Sequence, residues 1–378
     1  MLSSILADFD NTEHEIISTL DYRIKRFDPP INADRIIEIS HKDNFNAKFN
    51  EILSNSIDTA FLIAPETENI LYNLAELTEN KKISLLGPSA SSIKTTTDKY
   101  QTIKKIENIA EIPQTKLISI DIPPENVFQE SKNIGLPFVI KPLDGVACAG
   151  ISLIQSKDQI SQAVEKVRNE SKEDKFIIQE YIEGVDASLS LIIGKNQIIP
   201  LTLNYQDIDL QSSTYLGGFT PFDHPLKNEV ITHSKKIIKN IKGLKGYIGI
   251  DYVLTPEKAY FMEINPRLTT SYVGIKSVSK QNLIKAIINL LIFEKDELPQ
   301  FEFFGYSYFS KVDLIIPNLT LKEFKKKYFK KGIVSPPFVV KGRENEQTSA
   351  FICSYQENLN DSKRQFENIK KELLSGEN

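Results

Sequence analysis

Three oxygen-bearing side chains in the second half of the chain have a spacing that could hold a metal ion. Asp251 interrupts an apolar run, and Glu263 and Asn265 follow a turn at residues 255–257. If the segments on either side of this turn pair as strands, Glu263 and Asn265 point to one face and Asp251 lies on the neighbouring strand. Mg²⁺ accepts such carboxylate and amide oxygens when phosphates fill its other positions. Spacing alone does not separate this interpretation from ordinary polar residues at strand ends.

A lysine and a loop of small residues form a second group. Lys141 ends the apolar run 138–140, and the loop 144–150 contains Gly145 and Gly150. The ammonium group could neutralise phosphate charge, while small residues let backbone N–H groups approach phosphate oxygens. Taken alone, a lysine at a strand end is more often simply solvated.

A third group lies where an apolar strand becomes polar. The run 176–178 continues into Gln179 and Glu180, and Ile182 and Asp186 follow closely. A backbone hinge of this kind could offer amide groups to the edge of an adenine, and a nearby carboxylate could bind ribose hydroxyls. By itself, an edge strand with a charged end is the simpler interpretation.

Composition and the commoner motifs exclude several classes of protein. The net charge is −4 and the pI is near 5.8, so the chain has no bulk basic footprint for nucleic acid. Neither a G-x-x-x-x-G-K-[ST] loop nor a G-x-G-x-x-G turn after a strand is present. Cys148 and Cys353 lack partners for a zinc or disulfide framework, which favours a reducing compartment. With no apolar run near the roughly 18 residues of a membrane span, the sequence predicts a cytoplasmic protein that binds neither membrane nor nucleic acid.

Two patterns of helices and strands must position these residues. Over residues 1–88, helical and strand-like segments alternate, which predicts an open, mostly parallel sheet. From residue 113 onward, strand-like segments follow one another across short turns, which predicts antiparallel pairing. The fold class is therefore α/β, and 378 residues predict two or three modules.

The candidate groups occur in an order that resembles the ATP-grasp superfamily. The order is Lys99, Lys141, residues 179–186, Asp251 and residues 263–267, and the resemblance extends from about residue 55 to about residue 300. It implies an ATP-grasp fold in four segments: a pre-ATP-grasp module at 1–95, a central subdomain at 96–184, a catalytic subdomain at 185–298 and an accessory module at 299–378.

The resemblance also implies that these side chains bind ATP and Mg²⁺, with Mn²⁺ as an alternative metal. It assigns Lys99 and Lys141 to the phosphates, which the loop with Gly145 and Gly150 encloses. The adenine falls to Gln179, Glu180 and Ile182, and the ribose falls to Asp186. The metal is assigned to Asp251, Glu263 and Asn265, and the reacting groups to Arg267 and Lys141. Gln179 and Asp186 stand where many members carry glutamates.

Within the superfamily, four segments look most like those of archaeal tyramine:L-glutamate ligases. They are residues 63–67, 86–89, 214–218 and 265–272. This resemblance implies small-molecule carboxylate and amine substrates, an acyl-phosphate intermediate, γ-glutamyltyramine as product and a place in methanofuran biosynthesis; it leaves a homodimer open. In that family a strand and a glycine-containing turn precede the helix matched by residues 1–10, so we expect the N-terminal module to lack its first strand.

Two alternatives stay open at this point. One is an ATP-grasp ligase that acts on another amino acid, a peptide or bicarbonate. The other is a nucleotide-binding regulator that keeps the fold without turnover. Release of ADP in the presence of candidate amines separates an enzyme from such a regulator.

Overall fold

A computed structural model describes residues 1–10, 12–146, 148–316, 319–339 and 347–375. In chain order, the helices and strands are α1 (Leu2–Phe9), β1 (Ile17–Asp21), α2 (Tyr22–Lys25), β2 (Arg35–Ile39), α3 (Phe45–Leu53), β3 (Thr59–Ala60), α4 (Ile70–Asn80), β4 (Ser84–Leu85), α5 (Ala90–Thr97), α6 (Lys99–Ile106), β5 (Thr115–Ser119), α7 (Pro124–Glu130), β6 (Phe138–Pro142), β7 (Ser152–Ile154), α8 (Ile160–Glu170), β8 (Lys175–Glu180), β9 (Val185–Ile193), β10 (Ile198–Asp209), β11 (Thr214–Thr220), α9 (Lys227–Asn240), β12 (Gly246–Leu254), β13 (Ala259–Asn265), α10 (Ser271–Val278), α11 (Leu283–Leu291), β14 (Ser307–Ile315), α12 (Leu321–Tyr328), β15 (Ile333–Ser335), β16 (Gln347–Cys353) and α13 (Leu359–Leu374).

The chain divides into two compact units. One comprises Met1–Ile57, Gly217–Pro221 and Thr270–Asn378, and the other comprises Asp58–Leu216 and Phe222–Thr269. All the candidate residues of the sequence analysis belong to the second unit. The four predicted segments stay a prediction, since these units are defined by compactness alone.

One sheet of the second unit carries the predicted metal ligands. Its strands lie in the order β13, β12, β9 and β10, and all neighbours are antiparallel. Helices α6 and α9 cover one face, where Ile248, Ile250 and Phe261 join a continuous apolar core. Strand β12 is buried along its whole length except at Asp251, so its sequence is apolar on both faces rather than alternating.

A second sheet of the same unit carries Lys141. Strands β5, β8, β6 and β7 lie in this order and pair antiparallel throughout, which confirms the pairing predicted after residue 113. Helices α7 and α8 supply Val127 and Val164 to the core that covers one face. Helix α8 is preceded by a short turn in which Ser156 and Gln159 form a capping box, so its starting point is fixed by local hydrogen bonds.

The first 88 residues contain parallel strands, as predicted, but in two separate two-stranded sheets. Strand β1 pairs with β2 in the first unit, and β3 pairs with β4 in the second. The pair β3 and β4 is only two residues long in each strand. Apolar packing of α4 and α5 covers this short pair.

The first unit is built on an antiparallel sheet of β14, β16 and β15, with Gly218–Thr220 of β11 paired to β14. Helices α12 and α13 cover it through Phe324, Tyr328 and Phe366. Helix α1 is held to α10 by buried Asp8, which accepts a hydrogen bond from Tyr272 and pairs with Lys276 at 2.9 Å. Among the described residues, no helix combines the length and apolar character needed to cross a membrane.

Candidate active site

The hairpin of β12 and β13 brings the three predicted metal ligands together. Asp251 lies directly opposite Glu263, and Gly249 lies opposite Asn265. Beyond this point the register shifts, so that Tyr252 pairs with Phe261. The extra residue, Met262, reverses which face the following residues point to. Because of this bulge, Phe261 points into the core while Glu263 points, like Asp251, to the other face.

The polar atoms of this group suit a divalent cation. The amide nitrogen of Asn265 donates to Oδ2 of Asp251 at 2.9 Å, which leaves the amide oxygen of Asn265 for a further contact. The buried Oδ1 of Asp251 has no hydrogen-bond partner within the described part of the chain. A buried carboxylate oxygen without a donor is costly, and a cation would satisfy it. The described residues form no group of three or more Asp, Glu, His or Cys side chains placed to hold a metal ion, and a cation at Asp251 and Glu263 would take further ligands from a substrate.

Two buried lysines face this acidic pair. Lys99 is 6% exposed and its Nζ lies 3.2 Å from Oε2 of Glu263. The same ammonium group donates to the carbonyl oxygen of Gly145 at 2.8 Å. Asp98 caps the helix that begins with Lys99, because its side chain accepts a hydrogen bond from the backbone of Gln101. Lys141, in the centre of the second sheet, is also 6% exposed.

Burial and neighbouring charges set the ionisation of this group. Burial lowers the pKa of Lys141 to about 8, partly opposed by Glu263 and reinforced by Lys99. Burial alone would raise the pKa of Glu263, but Lys99 and Lys141 outweigh it and hold that pKa below its usual range. Burial together with the charge of Glu263 raises the pKa of Asp251 well above the usual value, and the hydrogen bond from Asn265 and the charge of Arg267 oppose this only in part. Glu263 is therefore the firmly ionised member of the pair.

The loop that follows Lys141 requires small residues. A Cβ on Gly145 would lie 2.6 Å from Cγ of Pro142 and 2.8 Å from the carbonyl oxygen of Ala149. Gly150 has a φ of +73°, which residues with a side chain rarely adopt. Cys148 also lies in this loop, and burial raises the pKa of its thiol to about 12. Ala147, which belongs to the predicted loop, lies outside the described residues.

The predicted adenine hinge is partly occupied by contacts within the protein. Gln179 is 2% exposed, and its side chain donates to the hydroxyl of Thr115 at 2.8 Å. Oε2 of Glu180 accepts a hydrogen bond from the backbone of Gln114 at 3.0 Å. These side chains brace β8 against β5, and the backbone N–H of Glu180 also donates to the carbonyl oxygen of Gln114 at 2.8 Å. The backbone at Ile182 is the part of the predicted hinge outside these contacts.

The predicted ribose ligand, Asp186, lies near the start of β9, in the sheet that also carries Asp251. Burial, with a smaller contribution from Asp207, raises the pKa of the Asp186 carboxyl to about 6.

Arg267 meets a residue that the sequence analysis did not single out. Its Nε donates to Oε2 of Glu66 at 2.7 Å, and Glu66 is 5% exposed. The two residues are 201 positions apart. Glu66 falls within the segment 63–67 that carried the family resemblance, but no local spacing links it to the hairpin. Arg267 also lines a small apolar cavity with Phe61, Tyr247 and Leu268.

The geometry thus joins most of the predicted residues. Direct contacts or facing charges link Lys99, Lys141, Gly145, Asp251, Glu263, Asn265 and Arg267, and Arg267 is also paired with Glu66.

Comparisons with known proteins identify the class. A profile of the ATP-grasp domain matches residues 96–271, and a profile of the pre ATP-grasp 3 domain matches residues 14–93. Biotin carboxylase of Campylobacter jejuni has the same fold, with a TM-score of 0.75 and 16% identity over 98% of this chain and 88% of that one. The chain belongs to the ATP-grasp family, as the motif order predicted.

Within that family, the chain is similar to two ligases of methanogens. It is 37% identical over 244 residues to tyramine–L-glutamate ligase of Methanocaldococcus fervens, covering 64% of this chain and 70% of that one. It is 33% identical over 243 residues to the same enzyme of Methanocaldococcus jannaschii, covering 64% of this chain and 66% of that one. The protein is therefore an ATP-grasp carbon–nitrogen ligase, and the predicted α/β fold class is confirmed.

We expect Asp251→Asn to stabilise the protein in the absence of divalent metal. The substitution removes the repulsion between two facing carboxylates and keeps an oxygen that can accept from Asn265, which should contribute roughly 1 kcal/mol. Urea denaturation with a chelator present measures the change. Asp121→Asn, at an exposed position, serves as the control and should leave the midpoint unchanged. A lower midpoint for Asp251→Asn would show that the carboxylate stabilises the metal-free fold.

Proposed function

We propose that the protein uses Mg-ATP to phosphorylate the γ-carboxylate of glutamate and then transfers the glutamyl group to the amine of tyramine. The observation that carries this proposal is the convergence of Asp251, Glu263 and Asn265 on one face beside Lys99 and Lys141. The similarity to tyramine–L-glutamate ligases over 64% of the chain supports the choice of substrates.

The proposed reaction has two steps. A carboxylate oxygen attacks the γ-phosphorus of ATP, the bond to the β,γ-bridging oxygen breaks, and ADP leaves. The amine then attacks the carbonyl carbon of the acyl phosphate, loses a proton and expels inorganic phosphate. The first step brings two anionic groups together, and the second develops negative charge on the carbonyl oxygen and the leaving phosphate. The protein must therefore neutralise negative charge without access of water.

Each residue has a role in this scheme. Lys99 and Lys141 neutralise the phosphates, and the loop with Gly145 and Gly150 encloses them through its backbone. A bound divalent cation, held by Asp251, Glu263 and Asn265, would supply charge neutralisation at the phosphate oxygens. Arg267 holds the substrate carboxylate and the phosphoryl group in line.

The adenosine end of the nucleotide is assigned to the predicted hinge at residues 179–186. The backbone from Glu180 to Ile182 contacts the adenine edge, and Asp186 accepts from the ribose hydroxyls. Gln179 keeps its predicted position in the hinge, with its side chain bracing β5. The oxygen-only ligand set suits Mg²⁺, with Mn²⁺ as the alternative metal, and it leaves room for phosphate oxygens. A cytoplasmic location, assembly as a homodimer and a place in methanofuran biosynthesis stay predictions.

Replacing Glu263 by glutamine should lower turnover by roughly 100-fold, about 2.7 kcal/mol of barrier. The amide keeps the size of the side chain but removes the charge that both the lysines and the metal require. Steady-state ADP release at saturating ATP measures the effect. Glu257→Gln, at an exposed position in the turn of the same hairpin, is the matched control. Near-full turnover of Glu263→Gln at limiting Mg²⁺ would remove this residue from the metal site.

Replacing Lys141 by alanine should weaken ATP binding by a factor of 10 or more. A charge-assisted contact to phosphate in a partly dry site contributes about 1.5–3 kcal/mol. Isothermal calorimetry measures the affinity, and Lys116→Ala, on the exposed edge of the same sheet, is the control. An unchanged dissociation constant would place Lys141 outside the phosphate site.

Glutamate and tyramine together should release far more ADP than either substrate alone, since the acyl phosphate turns over only when an amine arrives. A coupled ADP assay across pairs of amino acids and amines measures this. A second pair that exceeds glutamate and tyramine by a wide margin would reassign the substrates and leave the ligase class intact.

A further inference from the structure

Glu66 is a buried acid to which the scheme above gives no role. It is 5% exposed, and its carboxylate accepts from Nε of Arg267 at 2.7 Å. The guanidinium of Arg267 also donates to the carbonyl oxygen of Leu268 at 3.2 Å. A buried carboxylate is strongly destabilising when its partner is removed. If Arg267 binds a substrate during the reaction, a positive charge must therefore still balance the carboxylate of Glu66.

The backbone around Glu66 is held in place from two sides. The backbone N–H of Leu71 donates to the carbonyl oxygen of Pro65 at 3.0 Å. The N–H of Glu68 donates to Oδ2 of Asp144, next to the glycine loop, at 3.3 Å. Glu68 and Asn69 both have positive φ, at 53° and 58°. Consecutive strained residues of this kind persist where the surrounding structure fixes a functional position.

The position of Glu66 also relates it to the reacting groups. Asp144 precedes Gly145, whose carbonyl oxygen accepts from Lys99, and Lys99 pairs with Glu263. The segment with Glu66 is thus fixed to the loop proposed to enclose the phosphates. Arg267, which Glu66 contacts, follows Asn265 by two residues. Glu66 therefore lies beside the place proposed for the substrate carboxylate.

Charge balance identifies what should bind there. Guanidinium groups bind carboxylates well, so a substrate carboxylate at Arg267 would compete with Glu66 for the same cation. A substrate with a carboxylate alone would leave Glu66 buried without its full countercharge. A substrate that also carries an ammonium group would replace that countercharge. An amino acid satisfies both partners of the existing ion pair.

We propose that Glu66 binds the ammonium group of an amino-acid substrate whose side-chain carboxylate is activated beside Arg267. This inference rests on the proposed function and adds to it the residue that selects amino acids over simple carboxylic acids. It makes Glu66 a specificity-determining residue. A bicarbonate or dicarboxylate substrate would gain nothing from it.

A comparison of glutamate with glutarate, which lacks only the ammonium group, tests the inference. Tyramine is the second substrate, and the measured quantity is kcat/KM for glutamate divided by kcat/KM for glutarate. The wild-type ratio should be about 100 or more, because a site built to bind a polar group rejects the analogue that lacks it. In Glu66→Gln the ratio should fall to about 10 or less, mainly through loss of activity with glutamate. Glu68→Gln, two residues away and more than half exposed, should keep the wild-type ratio.

The alternative role for Glu66, positioning of Arg267, gives a different result. In that case Glu66→Gln would slow glutamate and glutarate by the same factor, and an unchanged ratio would overturn the inference. If Glu66→Gln does not fold, the wild type decides with N-acetylglutamate, in which the ammonium is replaced by a neutral amide. Equal use of glutamate and N-acetylglutamate would overturn the inference, and strong preference for glutamate would support it. Absence of ADP release by the wild type with glutamate and tyramine would instead reject the proposed function, and this inference with it.

Discussion

The ion pair between Lys99 and Glu263 is the contact on which the rest of the site depends. Without Glu263, the ammonium groups of Lys99 and Lys141 would be two buried cations in a site of low solvent access, and Lys141 already has a lowered pKa. Without the lysines, Glu263 would face Asp251 as a second uncompensated anion. The pair connects the first turn of α6 to the hairpin of β12 and β13, so it both neutralises the two charges and fixes the relative positions of these elements. A buried ion pair of this kind contributes little net stability, because the cost of desolvating both charges offsets their attraction.

Burial of apolar strands offsets the free-energy cost of placing these charged groups in the interior. Strand β6 is buried along its whole length, and Lys141 is carried into the interior by Val139 and Ile140. Strand β12 buries both faces in the same way and admits a polar residue only at Asp251. The ammonium and carboxylate groups are thus positioned by hydrophobic packing on the opposite faces of their sheets. Rigid strands hold functional groups more firmly than loops do, which suits a site that relies on electrostatic preorganisation.

The sequence predicts the parts of this site that depend on local periodicity and not those that depend on distant contacts. The approach of Asp251, Glu263 and Asn265 follows from a short turn and the two-residue period of strands, although the bulge at Met262 has no clear sequence signal. The pairing of Glu66 with Arg267 joins residues 201 positions apart, and a single sequence contains no information on such a contact. Similarly, alternation of helix and strand predicts parallel pairing before residue 88, but the division into two short sheets depends on tertiary packing.

The balance of charge explains why the two acids of the hairpin differ. Glu263 pairs with Lys99 and stays ionised, whereas Asp251 accepts a hydrogen bond from the Asn265 amide and keeps an oxygen without a hydrogen-bond partner among the described residues. Because the pKa of Asp251 is raised, its carboxylate binds a proton more readily, and this proton neutralises charge that a cation would otherwise neutralise. Because a cation and a proton compete for the same carboxylate, metal binding and deprotonation of Asp251 are linked. In the metal site proposed above, Glu263 is thus charged before a cation binds, whereas Asp251 would become fully charged only as the cation binds.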